Sequence, residues 1–429
     1  MRKEKPVRRK LSFGSVFMLG LLAVVLCGSA LVLGRLSSGA SVDLSRLSMN
    51  VLDLQESSSR TAETEPAVIV RPEQAAPPAS SAATTQPAEA EASVSRPNAY
   101  TLTVGGSIAL TGEVRKNSWN PDAKITDYAD VMMLLARHVN ADVNCVFLEN
   151  VLSDRLKAND NVAPTAAAAI LKEAGFDMAA CGFAQAYAGG RTGTEETVDA
   201  LVDQGIRPLG INGAGGTFLA GGIRTAFLQY TDTVPAKTRK TMARDGAEDL
   251  IPPAEVSRIR EDIAAARQQG AEAVIVLLNW GKTGKDPDKA QKELADGIAQ
   301  AGADLIIGCG NHVPQTAEYL TGENGKNVLC VWSLGSLLCG DRGNIKRISG
   351  YLLHVTVRSD GQGGVDLVRP EYTPVYAWKY RQDGRYYYRC IASDNESPDG
   401  MDNEQRKNMS KSAETVAAVL DGSPLNARR

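Results

Sequence analysis

The chain has 429 residues, enough for one large domain with appendages or for two domains. Its hydrophobic fraction of 43% supplies a full core, and a net charge of −3 gives no general pull toward nucleic acid. No P-loop, GxSxG elbow, HExxH helix or nucleic-acid signature occurs, so the nucleotide, serine-hydrolase and zinc-protease chemistries carried by those motifs have no support.

The first ten residues form a basic segment: Arg2, Lys3, Lys5, Arg8, Arg9 and Lys10, with Glu4 as the only acid. Residues 11–34 carry no charge. At ~1.5 Å per residue, a helix of that length crosses a hydrocarbon core of roughly 30 Å. Positive charge ahead of the run keeps the N-terminus cytoplasmic and sends the rest of the chain outside. The expectation is a single-pass signal anchor in the cell membrane, with the C-terminal domain extracellular. A cleaved signal peptide is the competing reading, but the small-residue site Gly28-Ser29-Ala30 is followed by more apolar residues. Leu26 before Cys27 is too large for a lipoprotein site. Residues 35–97 are rich in Ala, Ser, Thr, Pro and Glu beyond a short apolar stretch, and are expected to be a disordered stalk.

Order is expected from residue 98. Thr101 to Val104 reads as a strand ending in Gly105-Gly106, Ile125 to Val139 as a helix, and Val143 to Leu148 as a strand. Pro164 to Ala174 reads as a helix closed by Gly175, followed by strand Met178 to Cys181. A helix with an acidic first turn at Thr194-Glu195-Glu196-Thr197 ends before Gly205. Strands Pro208 to Ile211 and Ile223 to Tyr230 follow, then helix Ala254 to Gln269, strand Ala273 to Leu278, helix Asp288 to Ala301 and strand Leu305 to Ile307. Beyond about residue 315 the reading is all strand: Val328 to Trp332, Tyr351 to Val357, Val365 to Tyr372 and Arg385 to Ile391. The alternation argues for a layered α/β domain over 98–395 with mixed sheets, and 396–429 for a helical tail from Asn403 to Leu420. Tyr386-Tyr387-Tyr388 reads as strand with alternating faces rather than a sugar-stacking platform. Six cysteines follow the expected span: Cys145, Cys181, Cys309, Cys330, Cys339 and Cys390. They sit in or beside apolar runs, which favours buried free thiols over disulfides.

Several junctions in this order resemble one family. They are Val146-Phe147-Leu148-Glu149, Leu171 to Asp177, Asn279-Trp280-Gly281, Gly302 to Gly308 continuing through His312-Val313, and Ser333-Leu334-Gly335-Ser336. Residues of about 100 to 345 resemble the CapA family, the capsule (poly-γ-glutamate) synthesis proteins with a metallophosphatase-like fold. The resemblance implies a layered sandwich, an anionic envelope polymer as partner, and membrane-bound capsule synthesis proteins as further partners.

The departures from that family fall at strand ends. Gly106 stands where the resemblance implies an Asp, Phe147 where it implies an Asn, and Gly182-Phe183-Ala184 where it implies Asn-Asn-His. Asn279 replaces a His, and Gly310 replaces one His of a His-x-His pair, leaving His312. A dinuclear site draws on several imidazoles and carboxylates, and the whole chain has three histidines: His138, His312 and His354.

Glu149, Asn279 and His312 remain as the site residues. They imply no cofactor, or a divalent cation held weakly at most. The expected role is binding or assembly of the polymer with little metal-dependent catalysis. The alternative is a metallophosphatase-like hydrolase or acyl-transfer enzyme with a rewired site, His312 acting as acid or base and Asn279 orienting substrate. Cys181 and Cys309 flank two emptied positions and, with His312, could make a thiolate–imidazole site, although packing thiols are the default. Arg115-Lys116-Asn117 reads as a solvated loop that could meet an anionic polymer.

Overall fold

The structure is a computed structural model that describes residues 98–428 except 121–124, 127, 129 and 394–396. The expected basic segment, membrane span and stalk lie outside the described residues. Among the described residues no helix is long and apolar enough to cross a membrane.

Two mixed sheets form the centre. The first contains β1 (Ala99–Ile108), β2 (Val143–Leu148), β3 (Met178–Ala180) and β4 (Arg207–Leu209). The second contains β5 (Gly215–Ala220), β6 (Ile223–Thr231), β7 (Ala273–Asn279), β8 (Leu305–Cys309), β9 (Ala317–Thr321) and β10 (Asn327–Val331). The chain then returns to the first sheet with β11 (Ser336–Leu338), β12 (Ser349–Ser359), β13 (Val365–Gln382), β14 (Arg385–Ala392) and β15 (Asn426–Ala427). The first sheet runs β14-β13-β12-β1-β2-β3-β4, with β11 paired to β1 and β15 to β13; the second runs β9-β10-β8-β7-β6-β5. Strands β1 to β4 are parallel to one another, as are β6, β7, β8 and β10, and the remaining long strands are antiparallel.

The apolar runs explain the layering. Along β7, Ala273, Ile275 and Leu277 enter the core shared by the two sheets, while Val274, Val276 and Leu278 enter the core beneath the outer helices. A strand covered on both faces reads as a continuous apolar run because alternation has no polar side to show. Burial of each such side chain contributes about 1.5–3 kcal/mol as an upper figure. The helices are α1 (Gly112–Asn117), α2 (Asp130–Met133), α3 (Ala168–Glu173), α4 (Gly190–Asp203), α5 (Ala236–Arg244), α6 (Val256–Gln268), α7 (Lys289–Gln300) and α8 (Asn403–Leu420). Helices α6 and α7 cover the second sheet through Ile259, Ile263, Ala295 and Ile298. The six expected free thiols are all buried and none is crosslinked.

Two local expectations change in the stretch before β2. The helix expected over Ile125 to Val139 is a short strand Ile125–Thr126, the four-residue α2 and a 3₁₀ turn Ala136–His138. Tyr128, Val131, Met132, Leu135 and Val139 still bury one face. The Leu135 and His138 amides, however, bond carbonyls three residues back, so the helical spacing is met without a full α ladder. The Arg115 region is helical rather than a loop, and Arg115 donates to the Asn159 carbonyl at 2.7 Å.

The C-terminal segment packs on the sheet rather than trailing from it. Val416 and Leu420 of α8 join the inter-sheet core, and β15 then adds to β13. Arg428 Nη1 meets His354 Nδ1 at 2.8 Å, Thr103 Oγ1 meets the same nitrogen at 2.9 Å, and Thr373 Oγ1 lies 3.0 Å from Nε2. Arginine only donates, so Nδ1 accepts and the proton of the neutral ring sits on Nε2. Burial first, then the Arg428 charge and more weakly His138, push the His354 pKa down to about 3.

A histidine held neutral in the fold takes up a proton more readily when unfolded. His354 therefore contributes stability above its ordinary value of 6.5, and that contribution is lost as pH falls from there toward about 3. The slope from this one group reaches about 1.4 kcal/mol per pH unit. Urea unfolding across that window should show a flatter profile for His354→Asn than for the unaltered chain; parallel profiles would remove His354 as the sensor.

Candidate functional site

Parallel strands bring their C-terminal ends to one edge, and the polar residues left by the sequence reading gather there. Glu149 follows β2 directly, and its amide bonds the Ile108 carbonyl at the end of β1 at 3.0 Å. Asn279 is the last residue of β7, and Gly310 to His312 form the loop after β8.

Glu149 and His312 meet. His312 Nδ1 lies 3.5 Å from Glu149 Oε2, with the carboxylate side chain 10% exposed and the imidazole 29% exposed. Burial raises the Glu149 pKa above the ordinary carboxylate value, while His312 and, more weakly, Ser107 pull it back down. That pull involves no hydrogen bond of normal geometry, since Glu149 Oε1 and Ser107 Oγ are both buried without a partner. The arrangement is an acid and a base side by side, with one carboxyl oxygen uncommitted.

The His312 loop is shaped from beneath. Gly310 has φ of 100° and His312 has φ of 62°, both in the left-handed region. Asn311 Oδ1 accepts from Ser333 Oγ at 2.6 Å and from the Val313 amide at 3.1 Å. Ser333 Oγ also reaches the Val313 carbonyl at 2.8 Å. Asp341 pairs with Arg347, and its carboxyl is held below the ordinary range by the Gly343 amide first, then by Arg347, with a smaller part from His312. Asn311, Ser333 and Asp341 were not read as site residues. The serine of Ser333-Leu334-Gly335-Ser336 was the one available signal for them.

Asn279 abuts the His312 loop at Gly310, and its side-chain oxygen is engaged elsewhere. Its Oδ1 accepts from Thr233 Oγ1 at 2.9 Å and from Thr231 Oγ1 at 3.4 Å. Trp280 is core: it is fully buried, stacks on Trp332 with ring centroids 5.3 Å apart, and donates to the Trp332 carbonyl at 2.9 Å.

The positions where the resemblance implies ligands are closed by other atoms. A Cβ at Gly106 would lie 2.3 Å from the Gly335 carbonyl oxygen. One at Gly182 would lie 2.5 Å from the Gly210 carbonyl oxygen, and Gln229 clamps both backbone groups of Gly182. One at Gly310 would lie 2.7 Å from Asn279 Nδ2. No side chain can point from these three places without moving backbone or a buried amide. Cys181 donates to the Leu209 carbonyl at 3.2 Å, and burial pushes its thiol up to about 12. Cys309 lies 3.6 Å from the Gly335 carbonyl, and burial raises its thiol as well. Both are therefore packing thiols, not thiolate ligands. Among the described residues no group of three or more His, Cys, Asp or Glu side chains is placed to hold a metal ion.

The sequence model of the family described as bacterial capsule synthesis protein PGA_cap matches residues 101–341. The capsule biosynthesis protein CapA of Bacillus anthracis is 26% identical over 208 residues, covering 46% of this chain and 48% of that protein. The PGA biosynthesis protein CapA of Bacillus subtilis (strain 168) is 28% identical over 155 residues, covering 36% of this chain and 37% of that protein. The matches thus span less than half the length of either relative. Among solved structures, a putative 5′-nucleotidase from Staphylococcus aureus aligns at TM-score 0.39 and 10% identity, covering 74% of this chain and 58% of that one. The calcineurin-like phosphoesterase YfkN from Bacillus subtilis aligns at 0.37 and 9%, covering 75% and 99%.

Two outcomes follow for single substitutions. Gly106→Asp and Gly310→His, which restore the implied ligand types, should each lower stability by about 2–3 kcal/mol in chemical denaturation, through overpacking. Uptake of stoichiometric metal by either variant would contradict the closed geometry. Glu149→Gln removes a charge that burial disfavours, so Tm at neutral pH should rise by at least about 2 °C. A fall in Tm would mean that the pairing with His312 outweighs the cost of burial.

Proposed function

The chain belongs to the bacterial capsule synthesis protein family PGA_cap, and from that premise we propose that it serves the synthesis, export or attachment of an anionic envelope polymer of the poly-γ-glutamate type. Its role is binding or assembly rather than metal-dependent hydrolysis. The observation that supports this reading is the closure of Gly106, Gly182 and Gly310 by neighbouring atoms. A centre that activates water through metal needs several donors converging on one point. Here the surviving donors are few, and the Asn279 oxygen is committed to two threonines.

In the same reading, residues 11–34 anchor the protein in the cell membrane and the 98–395 domain works outside. The segment 35–97 gives it reach toward the polymer and toward membrane-bound capsule synthesis proteins. Nucleic acid is not a partner.

A second reading rests on the Glu149–His312 pair. Metal-free acyl transfer or hydrolysis needs a base to take a proton from the nucleophile and an acid to supply one to the leaving group. His312, which is part-exposed, fills the first role, and Glu149, whose pKa burial raises, the second.

Four measurements test these readings. Elemental analysis of the full chain purified from cells supplied with manganese, zinc and iron should find no stoichiometric metal; a tightly held two-ion cluster overturns the binding reading. Poly-γ-glutamate should bind with an affinity that falls steeply with added salt. Turnover of the polymer or of a phosphoester that His312→Ala abolishes would establish the second reading in its place. Recovery of the protein wholly in the soluble fraction would refute the anchor.

A further inference from the structure

Strand β13 was expected to end near Tyr372 but continues for ten residues, and its last part pairs with β14 as a hairpin turning at Asp383-Gly384. The register explains where the hairpin lies. Strand β12 runs antiparallel to β1, so its first residue, Ser349, lies toward the C-terminal end of β1, and Ser349 pairs with Tyr376. Everything from Ala377 to Cys390 therefore extends beyond β12 at the sheet edge that carries Glu149 and His312. Glu113 of α1, the helix that follows β1, ties Lys379 to this edge at 3.4 Å, and Asp130 ties Arg389 at 2.9 Å. Beyond those two anchors, residues 381–386 are exposed on both faces.

The composition of this hairpin departs from the rest of the chain. Residues 378–389 contain Lys379, Arg381, Arg385 and Arg389 against the single acid Asp383, in a protein whose net charge is −3. Lys379 and Arg389 have carboxylate partners, whereas Arg381 and Arg385 have none among the described residues. Five of the twelve residues are aromatic. The Tyr386 ring, 44% exposed, has Lys379 at 4.5 Å and Arg381 at 5.8 Å from its centroid. On the other face Trp378, Tyr380 and Tyr387 stack at 4.3 and 5.4 Å. Cations normally avoid such crowding on a protein surface. The Tyr386 ring holds Arg381 in place without neutralising it, leaving a fixed guanidinium fork for an incoming anion, and Arg385 is exposed beside the turn.

We infer that the tip of the β13–β14 hairpin is the docking surface for a linear polycarboxylate that crosses the tip, with Arg381 gripping one carboxylate on the Tyr386 face, Arg385 a second on the opposite face, and the chain's methylenes lying on Tyr386. A guanidinium and a carboxylate match as a bidentate pair, which selects carboxylates over other anions more than bare charge does. The hairpin lies outside residues 101–341, the stretch that the family model matches. The assignment rests on the reading of the protein as a polymer-binding capsule protein.

The test uses the full chain in detergent and poly-γ-glutamate of defined length. Arg381→Gln with Arg385→Gln should weaken binding roughly tenfold at low salt and make its salt dependence shallower. Arg381→Lys with Arg385→Lys keeps the charge and should recover only part of the affinity. Lys237→Gln with Lys240→Gln removes two exposed charges from α5 and should leave binding unchanged. If the hairpin glutamines bind as tightly as the unaltered chain, or if the α5 variant loses as much, the hairpin is not the site, while the polymer-binding reading stands. If the unaltered chain binds no poly-γ-glutamate, that reading itself fails. Equal affinity for a DNA strand or for anionic lipid vesicles overturns the selection of carboxylates. Unchanged thermal unfolding of the double variants shows that a loss of binding does not come from loss of the fold.

Discussion

The arrangement depends on one crossing. After β10 the chain leaves the second sheet, and within Trp332 to Gly335 it passes over the end of β1 to join the first sheet as β11. Three backbone bonds fix the passage: Leu334 N to the Gly308 carbonyl at 3.1 Å, Ser107 N to the Gly335 carbonyl at 2.9 Å, and Tyr351 N to the Leu334 carbonyl at 2.9 Å. Backbone can approach backbone this closely only where no Cβ intervenes, so Gly106 is imposed by the crossing. The same turn supplies Ser333, which braces Asn311 and so sets the loop that presents His312 to Glu149. One local passage thus joins the two sheets, excludes a side chain from the first strand end and aims the surviving imidazole.

The two histidine environments, one buried and one part-exposed, show what distinguishes a structural polar group from one left in readiness. His354 has both ring nitrogens engaged by Thr103, Thr373 and Arg428, and burial holds it neutral. His312 faces a carboxylate whose second oxygen has no partner. Buried polar groups are nearly always satisfied, and an unsatisfied one costs free energy that the rest of the fold must offset. Here that group sits at a strand end, where ligands ordinarily bind, behind a part-exposed imidazole.

The strands with two buried faces were legible in the sequence because they are uninterrupted apolar runs, as Ala273 to Leu278 shows. Helix ends were legible where glycine marked them, as at Gly175 and Gly205; the capping pair was not, and Asp288, expected inside its helix, instead caps α7 with Gln291. The region of Glu149 and His312 was legible because both follow strands in motifs that resemble a known family. What could not be read was any fact that depends on distant segments meeting. That Gly182 is filled by Gly210 and clamped by Gln229 is invisible in the local sequence. So is the turning of Asn279 toward Thr233. The extension of β13 past Tyr372 was missed because Pro374 interrupts the run, although Trp378-Lys379-Tyr380-Arg381 beyond it alternates.

Six thiols scattered through the cores, none joined to another, leave the domain without covalent staples. Folding then needs no oxidant and no isomerase, and its outcome is the same in a reducing or an oxidising compartment. Each sulfur becomes an internal reporter: an alkylating reagent reaches it only when the surrounding layer breathes open. The pattern of modification over time would rank the layers by how readily they part.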